Sequence, residues 1–127
     1  MSPLHLLLVA LGGAIGATGR HLLGIAVMRL VGPGFPWGTF AANVIGSFVM
    51  GAFIELWALK FGGAQPIRLF VAVGMLGGFT TFSSFSLDAV TLYERGAMLP
   101  AAGYVLGSVV ASLAALFAGL AIVRALA

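Results

Sequence analysis

The chain has 127 residues, of which 61% are hydrophobic and 7% charged, with a mean hydropathy of +1.18, where a soluble domain carries roughly 25% charged residues. That composition excludes a water-soluble domain and defines an integral membrane protein. The absence of cysteine excludes disulfides and thiolate metal sites, and the six basic residues behind the net charge of +3 are spread singly, so nucleic-acid binding has no support.

The charges punctuate the chain. Apart from His5, nothing ionisable precedes Arg20, and charge is also absent from Leu30 to Ile54, Leu69 to Leu87 and Gly96 to Val123. A span needs roughly 20 apolar residues at about 1.5 Å each, so these intervals and their flanks predict four transmembrane helices, at about 4–30, 38–60, 66–95 and 99–125, in one membrane domain over residues 1–127. The first lacks a basic leader and its polar stop comes late, which reads as a retained span and not a signal peptide. The connectors are short and hold helix breakers, GPGFPWG (Gly32 to Gly38), GGAQP (Gly62 to Pro66) and RGAMLP (Arg95 to Pro100), leaving no room for a soluble domain.

Four alternating spans put Lys60, Arg68 and Arg124 on one side of the membrane and Arg20, Arg29 and Arg95 on the other. An excess of Lys and Arg in cytoplasmic loops orients a membrane protein, and this balance provides none. Either the sample is too small to read, or the chain inserts both ways and permits an antiparallel, dual-topology homodimer. Four thin helices with polar groups in their spans also favour oligomerisation, because such groups need partners away from lipid.

Polar residues inside the spans fall in rows. Gly12-xxx-Gly16 in the first span and Gly103-xxx-Gly107 in the fourth read as ordinary close packing. In the second span Thr39, Asn43 and Ser47 recur every four residues, as do Tyr104, Ser108 and Ser112 in the fourth, each set sharing one face. Ser and Thr can satisfy themselves on their own helix carbonyls; a mid-span carboxamide such as Asn43 cannot, and needs a neighbour or a ligand. In the third span Gly74, Gly77 and Gly78 precede Thr80 and Thr81, and Phe82 and Phe85 share the face just beyond. Glycines and threonines here indicate either a close helix crossing or a broken helix whose freed carbonyls suit a cation. Donor rows with ring edges favour a dehydrating anion, although hydroxyl oxygens also suit a hard cation.

GGFTTFSSFS, preceded by GML at Gly74 to Leu76, resembles the signature of the Fluc (CrcB) fluoride channel family. GGAIGATGR at Gly12 to Arg20 is similar to that family's first-helix motif, and GTFAANVIGSFVMG at Gly38 to Gly51 to its second-helix motif around an asparagine. The resemblance implies an all-α, four-helix subunit with a broken third helix, an antiparallel homodimer in the cell membrane among lipid, and two fluoride pathways giving passive export. It implies that Asn43, Phe82, Phe85, Tyr104, Ser108 and Ser112, with Thr39 and Thr81 beside them, line the fluoride pathway and that Arg20 sits in the vestibule. It also implies a structural sodium ion at the dimer axis, held by the backbone carbonyls of Gly77 and Thr80. The chain departs from the pattern at His21, where an aromatic is common, at Ser84 for Thr, and at Asp88 for Glu. A proton-coupled exporter of the small multidrug type shares the size and span count but needs a membrane-embedded carboxylate, and Glu55, Asp88 and Glu94 fall toward span ends. A subunit without transport leaves the donor rows unexplained. An enzyme is disfavoured, with His5 and His21 the only imidazoles and no metal-ligand cluster.

Overall fold

A computed structural model describes residues 2–127. Its elements are α1 (Pro3–Val31), α2 (Trp37–Lys60), α3 (Gln65–Arg68), a π-helical stretch (Leu69–Leu76), α4 (Gly77–Phe79), α5 (Phe82–Glu94) and α6 (Met98–Leu126). Four stretches are long and apolar enough to cross a membrane: Pro3–Val31, Trp37–Lys60, Gln65–Glu94 and Met98–Leu126. The third of these comprises α3, the π-helical stretch, α4 and α5.

The helix ends follow local chemistry. Ser2 Oγ accepts the His5 N–H at 3.2 Å ahead of Pro3, whose fixed φ suits the first turn. Gly32 closes α1 with φ +76°, a region costly to any residue with a side chain, while its N–H donates to Met28 O at 2.8 Å. After α2, the Trp57 indole N–H donates to Ala64 O at 2.8 Å and ties the turn down. Arg95 reaches across to Gly34 O at 2.9 Å, joining two loops on one side of the molecule.

Glycines decide which spans touch. Gly12 and Gly16 of α1 lie so close to the third span that a Cβ at either would collide with the Phe70 or Met75 carbonyl. Gly74 and Gly78 meet α1 from the other side, against Gly12 and Gly13, so the close crossing allowed for in the sequence is present. On the opposite flank α2 and α6 pack through Gly51 against Leu116 and Gly119 against Phe48 and Ala52. The expectation for Gly103 and Gly107 is corrected here, because a side chain added at either would meet nothing within 4 Å. They lie on the outer face of α6, and Gly119 makes the close approach instead.

The interior is thin. Its apolar cluster consists of Phe85, Leu92, Ala101 and Tyr104, with Phe35 and Phe40 against it. Most large apolar side chains face outward, as they must where the solvent is hydrocarbon.

Candidate functional site

The site forms around two residues that leave the helical region. Thr80 (φ −84°, ψ 158°) and Thr81 (φ −152°, ψ 121°) are extended, between α4 and α5. Thr81 is the N-cap of α5, its Oγ1 accepting the Ser84 N–H at 3.1 Å. Thr80 turns its hydroxyl back to Leu76 O at 3.0 Å. Asn43 from α2 meets the same turn with both ends of its carboxamide: Nδ2 donates to Thr81 O at 3.0 Å, and Oδ1 accepts the Thr81 N–H at 2.7 Å. Its need for a partner is thus met by the backbone N–H and C=O of a residue 38 positions away. Arg20 reaches in from α1, Nε donating to Gly78 O at 3.3 Å.

Beside this turn lies a cavity of about 380 Å³. One wall is Asn43 and Ser47 from α2, another is Thr80, Thr81, Phe82 and Phe85, and a third is Ser108 and Ser112 from α6. Gly46, Met50, Val109 and Leu116 complete it. Sequence reasoning missed these four; at Gly46 the folded chain shows why a side chain is absent, because a Cβ there would collide with Thr80 Cγ2 and reach within 3.2 Å of the Phe79 ring.

Inside the cavity wall Ser108 is 4% exposed and its Oγ has no hydrogen-bond partner. A buried hydroxyl is ordinarily bonded, and leaving one unmade costs about 1–3 kcal/mol. The two phenylalanines differ. Phe85 is buried, while Phe82 is 78% exposed, so its ring lies at the open rim of the cavity on the surface of the single chain. Their centroids are 5.6 Å apart with planes tilted by 48°.

Thr39 and Tyr104 lie outside this lining. Tyr104 is buried between Phe85 (5.2 Å) and Phe35 (5.4 Å, edge on), and its hydroxyl donates to Asp88 Oδ2 at 3.2 Å. Thr39 lines two neighbouring clefts, one of about 440 Å³ shared with Arg20, His21 and Arg29, the other of about 230 Å³ shared with Asp88 and Trp37. Arg20 therefore stands between the basic cleft and the Gly78 carbonyl. Of the other carboxylates, Glu55 pairs with Arg124 at 3.0 Å and Glu94 is exposed. Among the described residues no cluster of three His, Asp or Glu side chains could hold a metal.

Fold and site together define a small four-span membrane protein with a cavity lined by hydroxyl, carboxamide and phenyl groups. The chain belongs to the CrcB family: the family model described as CrcB-like protein, Camphor Resistance (CrcB), matches residues 7–120. It is 58% identical over 122 residues to a protein of Mesorhizobium japonicum, covering 96% of this chain and 98% of the relative. It is 56% identical to one of Agrobacterium fabrum (95% and 97% covered) and 55% identical to one of Rhodopseudomonas palustris (94% and 97% covered). All three relatives bear the name fluoride-specific ion channel FluC, the name of a channel and not of an enzyme. The chain is accordingly a multi-pass protein of the prokaryotic cell membrane.

Proposed function

We propose that this protein is a fluoride-selective channel that lets fluoride leave the cell down its electrochemical gradient, limiting the anion that accumulates when HF enters as a neutral weak acid. The observation that carries the reading is the cavity that brings Asn43, Ser108 and Ser112 together with the Phe82–Phe85 ring pair, with an unpartnered Ser108 hydroxyl buried in its wall. An anion stripped of water needs donors that are not otherwise engaged, and hydrogen bonds to a charged group contribute about 1.5–3 kcal/mol each. Ring edges add a positive fringe without a competing counter-charge. The names of the relatives specify which anion.

The working unit is an antiparallel homodimer with two pathways. Its support is the outward Phe82 ring, the cavity open at the chain's surface, and the balanced cationic residues at the two membrane faces. A second copy would cover that opening and remove the cavity from lipid. At the axis of such a dimer the carbonyls of Gly77 and Thr80 would hold a sodium ion. The residues fit that role: Thr81 N–H and Ser84 N–H, which in an unbroken helix would donate to Gly77 O and Thr80 O, donate to Asn43 Oδ1 and Thr81 Oγ1 instead. Two unclaimed oxygens from each copy are ligands of the kind hard cations take. Bound there, sodium neutralises the converging carbonyl dipoles and fastens the two copies together.

The test is fluoride efflux from liposomes containing the purified protein, with chloride in place of fluoride as the control. Rapid fluoride release with chloride retained is expected; equal release of both anions, or of neither, would overturn the assignment.

A further inference from the structure

We infer that Asn43 is the positioning residue of the sodium site as well as a wall of the fluoride cavity, one carboxamide serving both ions. The inference rests on the sodium reading above and assigns its cause to a side chain distant in sequence. Each N–H in an α-helix donates to the carbonyl four residues back, so the donor that would claim Gly77 O is Thr81 N–H. Asn43 Oδ1 holds that N–H at 2.7 Å, the shortest hydrogen bond of the site. At the same time Nδ2 holds Thr81 O at 3.0 Å, so the two peptide groups that meet at Thr81 are both kept turned toward α2. This two-point grip also fixes which way the amide faces, because only Oδ1 can receive an N–H.

The grip has a local counterpart. Thr81 Oγ1 takes the Ser84 N–H at 3.1 Å, the group whose helical acceptor would be Thr80 O. One diversion thus spares each sodium-facing carbonyl, and the two share Thr81. Asn43 acts on Gly77 O from across the span interface, and the Thr81 hydroxyl acts on Thr80 O from within the turn. An amide nitrogen has two hydrogens, and Thr81 O occupies one. The second is free to serve an anion in the cavity that Asn43 lines. Loss of the carboxamide therefore returns Thr81 N–H to Gly77 O and closes the helix over the cation site, an effect separate from the loss of a donor to fluoride.

The experiment measures thermal unfolding of the purified, full-length protein in detergent against sodium concentration, with N-methylglucamine as the replacing cation, together with liposome fluoride flux. Sodium binding to the folded dimer should raise the melting temperature of the parent with a defined half-effect concentration. Asn43→Ala should raise that concentration by about tenfold or more, the equivalent of one lost hydrogen bond to a critical group. Asn43→Asp keeps an acceptor for Thr81 N–H and should keep the parent's sodium response while fluoride flux falls, a split that a merely structural role would not produce. Thr81→Val removes the Ser84 acceptor, together with the 3.4 Å contact to Ser83 Oγ, and should shift the response part of the way. The inference is overturned if Asn43→Ala responds to sodium as the parent does or, where that variant cannot be purified as a dimer, if Thr81→Val does. A parent that ignores sodium would bring down the sodium reading and this inference together, and parallel flux on that preparation would report on the fluoride reading by itself.

Discussion

Replacing Ser108 by alanine removes a single oxygen atom from the cavity wall, and the structure gives the change opposite signs for stability and for transport. Ser108 is 4% exposed and its hydroxyl is bonded to nothing in the chain, so the folded state carries an unmade hydrogen bond worth about 1–3 kcal/mol. Alanine abolishes that cost and leaves the packing of Val109, Ser112 and the ring of Phe85 almost unchanged. Thermal stability of the protein should therefore stay level or rise. Transport should fall, because a dehydrated fluoride loses a donor contributing about 1.5–3 kcal/mol, or about 10- to 150-fold in rate if that position limits passage. Fluoride efflux per mass of reconstituted protein and the melting temperature in detergent read the two effects separately. If Ser108→Ala melts lower by the equivalent of more than about 1 kcal/mol and conducts as well as the parent, the hydroxyl is a structural group satisfied by the second copy, and the anion does not pass it.

Among the other residues proposed to line the pathway, Asn43→Ala should reduce efflux most, since it removes a donor and also unpairs both the N–H and the C=O of Thr81. Phe82→Ile or Phe85→Ile removes a ring edge worth about 0.5–1.5 kcal/mol and should cost less, and Ser112→Ala, on a half-buried residue where water can substitute, least of all. Efflux in which Ser112→Ala is dead and Asn43→Ala normal would reverse the proposed track. Cysteines introduced at positions 32–38 should be labelled from both sides of the membrane in one population, and adding two or three lysines to one side should bias insertion and reduce flux; labelling from one side only would exclude the antiparallel dimer. Gly16→Ala should destabilise the protein by about 1–3 kcal/mol, because its methyl group collides with the Met75 carbonyl, whereas Gly103→Ala should not. Melting temperatures of the two variants check that contrast.

The four spans could be read from the order of residues because bilayer thickness sets their length and charge is excluded from their middles, both of which are properties of a local stretch. Residue periodicity likewise put Thr39, Asn43 and Ser47 on one face of α2 without any knowledge of what that face meets. The partners required the folded chain. Nothing near Asn43 names Thr81 as the peptide it holds, and the same sequence logic that recommended Gly12 and Gly16 as contact points recommended Gly103 and Gly107, where the structure has open space. Tyr104, on the helical row of Ser108 and Ser112, turns instead to Asp88 because α5 and the ring of Phe85 lie against it. Periodicity assigns a residue to a face, while which helix covers that face depends on close approaches between backbones from distant parts of the chain. Those approaches fix where the hydrogen bonds of the Thr80–Thr81 turn are made, and with them which oxygens and hydroxyls are left without a partner in the chain.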